Sequence, residues 1–175
     1  MMLVVLAGLA QLVLAGVLAL SALSKAYRPS RFAMTLRELG LPRVLSTSGA
    51  AVLIVAELAT GVALVVAPGP GWPRMAVLAL AVGFAGAGGW ALATGRRIAC
   101  HCFGPGQHAT LGVRQLVVLP GWLVLCGLAQ VEPPTWTSAQ GLGLLAFVVF
   151  GASAVRLVRA WPLWQDLRAD RISLR

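Results

Sequence analysis

The sequence predicts an all-α integral membrane protein, a polytopic bundle of four to five transmembrane helices. Of its 175 residues, 59% are hydrophobic and 11% are charged, and the mean hydropathy of +0.87 exceeds that of soluble domains. Five apolar stretches reach the roughly 20 residues that a helix needs to cross a hydrocarbon core of about 30 Å. Helix is expected throughout, because lipid offers no hydrogen-bond partner for an unpaired backbone.

The predicted spans follow one another in a single domain that covers residues 1–175. They are residues 2–23, 47–67, 74–94, 111–130 and 139–158. The first has no basic residue before its apolar run, and that run is longer than the core of a signal peptide, so we expect it to be retained. Residues 159–175 form a charged tail.

A short interfacial helix is predicted at residues 30–39, between the first two spans. Ser30 can serve as its N-cap, and Phe32, Leu36 and Leu39 fall on one face. We expect that face to lie in lipid and the arginines to point toward headgroups.

The charge of +9 has a strongly uneven distribution along the chain. Only Arg74 borders the second or fourth connection, and the remaining Lys and Arg residues lie in the first and third connections and the tail. They are Lys25, Arg28, Arg31, Arg37, Arg43, Arg96, Arg97, Arg114, Arg156, Arg159, Arg168, Arg171 and Arg175. This bias indicates a bacterial plasma membrane protein with its N-terminus outside and its C-terminus and third connection in the cytoplasm. It indicates a lipid bilayer, and no nucleic acid, as the partner of these charges.

The third connection contains the sequence Cys100-His101-Cys102-Phe103-Gly104. Two thiols separated by one residue predict a dithiol that cycles to a disulfide, since a bridge in so small a ring departs from relaxed geometry and is easily reduced. Arg96, Arg97 and His101 would favour the reactive thiolate. We expect Cys102 to attack and Cys100 to resolve the mixed disulfide.

Two other interpretations of these cysteines stay open. Cys100 and Cys102 with His101 or His108 could bind zinc or copper(I), although no second cysteine pair completes the site. Alternatively, both thiols are small apolar side chains at a helix start with no chemical role. The third cysteine, Cys126, is predicted to be buried and structural.

Glu57 is the one acidic residue within the five predicted spans. A carboxylate at such a position turns toward a partner or a water-filled cavity. Arg114, at the start of the fourth span, is the candidate partner, although it could instead reach the headgroups. A structural ion pair or a protonated acid is one interpretation of Glu57, and proton handling beside thiol chemistry or with a quinone is the other.

Taken together, several separated features resemble the MauE/DoxX family of redox-associated membrane proteins, named for methylamine utilisation. The matching pieces are Ser24-Lys25, Phe32-Ala33 to Leu36, Gly40-Leu41-Pro42, Glu57 with Gly61, Cys100-x-Cys102-Phe103-Gly104, and Arg114. The resemblance implies a DoxX-like bundle that supports disulfide formation or thiol redox balance beside a thioredoxin-like protein. In methylamine utilisation, the implied client is the disulfide-rich small subunit of methylamine dehydrogenase.

The function predicted from these observations is thiol-disulfide redox chemistry at Cys100 and Cys102, in a chain that is a candidate oxidoreductase. Because the charges place these thiols in the cytoplasm, they would exchange electrons with a cytoplasmic thiol carrier or pass them across the membrane. The alternatives are a non-catalytic assembly factor for a disulfide-rich client and a soft-metal binding protein. No nucleotide-, flavin- or haem-binding pattern is present, and a quinone is the cofactor that stays open.

Overall fold

The computed structural model describes residues 2–67, 71–96, 98, 111–131 and 136–154, without the side chains of residues 114, 115 and 131. Over these ranges the chain forms helices and no strand, which confirms the predicted all-α fold. The helices are α1 Met2–Tyr27, α2 Pro29–Glu38, α3 Arg43–Val66, α4 Trp72–Ala93, α5 Val113–Val131 and α6 Ser138–Ala154. Of these, α1, α3 and α4 are long and apolar enough to cross a membrane, while α5 and α6 contain shorter apolar stretches.

The first helix lies at the centre of the bundle. It packs along α3 and α5, and α4 packs against α5. One core cluster joins all five long helices and contains Leu14, Ala15, Leu18, Ala19, Leu64, Val65, Val77, Cys126, Ala129 and Leu145. The burial predicted for Cys126 is confirmed.

The outer surface of the bundle is strongly apolar. Phe147 and Phe150 of α6 are 75% and 76% exposed, and valines such as Val52, Val55 and Val117 are also exposed. A soluble monomer rarely exposes so large an apolar surface, whereas lipid tails cover it without cost. This surface and the spanning helices identify an integral membrane protein.

The short helix α2 differs in two ways from the interfacial helix predicted at residues 30–39. It begins at Pro29, with Arg28 at the N-cap position, so Ser30 is not the cap. Proline suits this first position because its missing N–H would have no intrahelical partner there. In addition, Phe32 and Ala33 are buried against Ala50 of α3, so the apolar face packs on protein and does not lie in lipid as expected.

The observed end of α1 changes the interpretation of Lys25. The helix continues to Tyr27, beyond the predicted end at residue 23, and α3 begins at Arg43, before the predicted start at residue 47. Lys25 therefore lies within α1 and is buried. It does not belong to the first connection, where the predicted spans had placed it.

A buried glutamine completes the C-terminal end of α3. The carbonyl of Leu64 would ordinarily accept a hydrogen bond from the N–H of residue 68, but residue 68 is proline and has no N–H. Gln11 of α1 donates its side-chain Nε2 to this carbonyl, and its side chain is almost completely buried. The contact satisfies a helix end and joins α1 to α3.

Replacing Gln11 with leucine is expected to lower the free energy of unfolding by about 1–3 kcal/mol, the cost of leaving a buried carbonyl unpaired. Unfolding of the purified protein in mixed micelles, followed by circular dichroism, would measure this change. Leu9→Met on the exposed side of α1 serves as the control and is expected to stay within about 0.5 kcal/mol. Equal stability of the two variants would show that the Leu64 carbonyl does not depend on Gln11.

Candidate functional site

An ion pair between Lys25 of α1 and Glu57 of α3 lies in the interior of the bundle. The Nζ of Lys25 donates to Oε1 of Glu57, and both side chains are fully buried. Ionisable residues in a membrane interior are costly and are a common mark of functional sites. Because the two charges are opposite and in contact, burying them together costs less free energy than burying either charge alone.

Three further groups surround the Lys25 ammonium. Its Nζ donates to Oγ of Ser21 at 2.8 Å. It also lies 5.1 Å from the ring centroid of Phe32 and 4.8 Å from that of Phe84. Rings at this distance attract a cation through the negative charge of their faces. Lys25 thus connects α1 with α3 through Glu57, with α2 through Phe32 and with α4 through Phe84.

The local sequence explains how these groups meet. Ser21 and Lys25 are four residues apart and therefore share a face of α1. Gly61, one turn after Glu57, allows α3 to approach that region of α1 closely. A Cβ atom at Gly61 would lie 3.1 Å from the carbonyl oxygen of Ala15 and 3.4 Å from Cβ of Leu18. The small residue lets the side chain of Glu57 reach Lys25.

Glu57 retains one oxygen without a hydrogen-bond partner among the described residues. Oε1 binds Lys25, whereas Oε2 is buried and has no such partner within those ranges. A buried carboxylate oxygen ordinarily finds a donor, so Oε2 is the unsatisfied acceptor of this ion pair within the described ranges.

The partner of Glu57 is thus Lys25, and it was not identified from the sequence. Arg114 was the candidate there, and its side chain lies outside the described part of the chain. One signal was present: Ser21 and Lys25 place two polar groups one helical turn apart in a mostly apolar helix. The predicted spans placed Lys25 in the first connection, so the sequence did not indicate that Lys25 and Ser21 share a buried face of α1.

A second region of interest is the base of the third connection. The N–H of Leu111 donates to the carbonyl of Ile98 at 2.8 Å, which joins the two ends of residues 99–110. Ile98 and Leu111 are buried with Ala91 of α4, and Leu39 packs against them. Ile98 and Leu111, the described residues on either side of the connection, are thereby fixed on the bundle.

Arg96 is the described member of the predicted basic pair. Its Nη1 donates to the carbonyl of Glu38 at 3.1 Å, at the C-terminal end of α2. A cation is favourable there because the last carbonyls of a helix carry partial negative charge. Arg96 therefore joins the end of α4 to the end of α2.

The remaining predicted site residues lie outside the described residues. They are Cys100, His101, Cys102, Phe103, Gly104, Arg97 and His108. Among the residues that are described, no three His, Cys, Asp or Glu side chains form a group that could hold a metal ion.

Most of the chain matches one known protein family. Residues 3–154 match the family model described as methylamine utilisation protein MauE. The chain has no match among curated proteins or among solved structures. The matched range covers most of the chain, including α1 to α6, the Lys25–Glu57 pair and the third connection. The chain is therefore a member of the MauE family of methylamine utilisation proteins.

Proposed function

We propose that this membrane protein is a thiol-disulfide redox protein that acts in methylamine utilisation through Cys100 and Cys102. The observation that carries the proposal is the fixed base of the third connection, where Leu111 binds Ile98. Two residues of chain span at most about 7 Å, so Cys100 would react close to Ile98. The connection that carries the two cysteines is thereby tethered to the bundle at Ile98 and Leu111.

The proposed reaction is an exchange with a thioredoxin-like protein or a disulfide-rich client. A thiolate of the client attacks the disulfide between Cys100 and Cys102 and forms a mixed disulfide with one of them. The second client thiol then releases the mixed disulfide. The client has gained one S–S bond, and the Cys100–Cys102 pair has gained two electrons and two protons. The reverse sequence reduces a client.

The position of Arg96 supports thiolate chemistry in this connection. Its bond to Glu38 holds a guanidinium at the base of the segment that contains the cysteines. A nearby cation stabilises a thiolate relative to the thiol. Arg97 and His101, next to the cysteines in sequence, would add to this effect.

The proposed orientation places this connection in the cytoplasm. Arg96 at the end of α4 contacts the end of α2, so the first and third connections lie at one end of the bundle. The exposed Arg28, Arg31 and Arg43 lie in or beside the first connection. One strongly basic end is what the positive-inside rule associates with the cytoplasm.

The experiment is thiol trapping in intact cells with membrane-permeant and impermeant alkylating reagents, followed by mass spectrometry. We expect Cys100 and Cys102 to change together between dithiol and disulfide and to resist the impermeant reagent. The double variant Cys100→Ser/Cys102→Ser is expected to lose client disulfide formation at normal membrane levels. Cys126→Ser is the matched control, since that thiol is buried in the core, and should retain it.

Two results would contradict this function. Client maturation that persists in the double serine variant would indicate an assembly factor that only docks its partner. Zinc or copper bound in stoichiometric amounts, and lost in the same variant, would indicate metal binding instead.

A further inference from the structure

A crevice of about 240 Å³ opens between α2, α3 and α4. Apolar side chains make up almost all of its lining, among them Leu36 of α2, Leu53 of α3 and Leu80 of α4. The polar residue of the described lining is Thr35, which is buried and donates its hydroxyl to the carbonyl of Arg31 at 3.4 Å. Because that hydroxyl is already bonded, these walls favour a hydrocarbon over a group with polar oxygens.

The long direction of the crevice follows α4, one of the spanning helices. Ala79, Gly83 and Ala87 recur every four residues and line its α4 side. At 1.5 Å per residue this stripe is about 12 Å long. Ala79 and Gly83 are exposed, and a Cβ atom at Gly83 would meet no atom within 4 Å, so the crevice is open on this side. A space that follows a spanning helix has the direction of a lipid acyl chain.

The volume of the crevice suits part of one acyl chain. A dry cavity of about 150 Å³ holds a molecule of benzene. In the same proportion, this crevice holds roughly ten carbons of a hydrocarbon chain. A helix from a second copy of the protein is too large to enter, because one turn of a helix about 10 Å wide fills roughly 400 Å³.

An arginine lies at one end of the crevice. Leu39 and Leu111 line this end and pack with Ile98. Arg96 is exposed, and its Nη1 donates to the carbonyl of Glu38, the residue before Leu39. That bond uses one of the five N–H groups of the guanidinium. An acyl chain gains little by moving from lipid into another apolar space, so a charged group is needed to select one lipid over another.

We propose that this crevice binds one acyl chain of an anionic phospholipid whose phosphate is held by Arg96. The chain lies along α4 beside α2, and the headgroup lies at the end of the bundle shared by the first and third connections. The exposed Arg28, Arg31 and Arg43 make that end basic, which attracts anionic lipids from the surrounding leaflet. The inference does not depend on the cysteines of the third connection.

The test is a lipid titration of the full-length, delipidated protein, followed by native mass spectrometry. Dioleoylphosphatidylglycerol and dioleoylphosphatidylcholine have the same chains and differ in net charge. We expect phosphatidylglycerol to bind about fivefold more tightly, the effect of one cation near a membrane surface. Arg96→Gln should abolish this difference. Arg28→Gln is the matched control and should retain it, because Arg28 lies about 16 Å from Leu39 along α2, beyond a screening length of about 8 Å.

Substitutions in and beside the crevice test the site independently. Gly83→Leu fills the space and is expected to weaken phosphatidylglycerol binding about fivefold, to the level of phosphatidylcholine. Gly86→Leu is its control, because Gly86 lies on the same helix, also has open space and does not line the crevice. It should bind within about twofold of the unaltered protein. Glu38→Gln removes an exposed carboxylate near Arg96 and should strengthen phosphatidylglycerol binding, a gain that misfolding cannot produce.

Four results would overturn the proposal. Equal binding of the two lipids would show that no cation holds a headgroup. Equal effects of Arg96→Gln and Arg28→Gln would indicate a general attraction of anionic lipids to the basic end. Equal effects of Gly83→Leu and Gly86→Leu would indicate that the chain lies outside the crevice. A dimer mass that becomes a monomer mass in Gly83→Leu would indicate a second copy of the protein at this face.

Discussion

Lys25→Met is expected to lower the free energy of unfolding by about 3–5 kcal/mol, because it leaves the buried carboxylate of Glu57 without its partner. The same substitution removes the cation that lies between the rings of Phe32 and Phe84. We therefore also expect α2 to be held less firmly on the bundle. Unfolding in mixed micelles measures the stability, and proteolysis at the arginines of α2 measures the release of that helix.

Two further variants show whether the ion pair itself is responsible. Arg31→Met removes an exposed cation from α2 and is expected to change stability by less than about 0.5 kcal/mol. The double variant Lys25→Met/Glu57→Met should recover most of the loss, since a buried pair can often be replaced by apolar groups of similar size. If Lys25→Met proves as mild as Arg31→Met, the pair is not the link between these helices.

Gly141→Ala is expected to destabilise the protein by about 1–3 kcal/mol, the range typical of overpacking. A Cβ atom at this position of α6 would lie 2.5 Å from the carbonyl oxygen of Val65 and 3.0 Å from Nε1 of Trp136. The nearest atom belongs to the backbone of α3, so it cannot rotate away as a side chain would. The helix must move outward from α3, and unfolding in mixed micelles would report the cost.

Gly143→Ala is the control for this substitution, because it lies in the same helix and its Cβ would meet no atom within 4 Å. Alanine is the better helix former by up to about 1 kcal/mol, so this variant should be equally or slightly more stable. Similar losses for Gly141→Ala and Gly143→Ala would argue against close packing of α6 on α3.

The helical elements were predictable because the signal is local. Apolar runs mark the regions that lipid can surround, and in lipid the backbone must satisfy its hydrogen bonds within the helix. The ends of these helices were less predictable. At the end of α1, the helix continues through Lys25 to Tyr27 because Glu57, Phe32 and Phe84 receive the lysine inside the bundle. Hydropathy alone would end the span before the first charge.

In the candidate site, too, some features were predictable from the sequence and others were not. The position of Glu57 in a span already marked it as unusual, and its need for a partner followed from the cost of a buried charge. The sequence did not identify which residue pairs with Glu57, because several basic residues flank the spans. The role of Gln11 was equally hidden, because it depends on a carbonyl of a different helix.

By itself, the sequence determined that this chain is an all-helical membrane protein of the MauE family with two closely spaced cysteines. Only the tertiary structure decided which faces meet, and so paired Lys25 with Glu57, Gln11 with Leu64 and Leu111 with Ile98. The physical reason is that these helices are apolar on nearly every side, so their periodicity does not distinguish lipid from protein neighbours. Close approach at a few small residues selects the contacts instead.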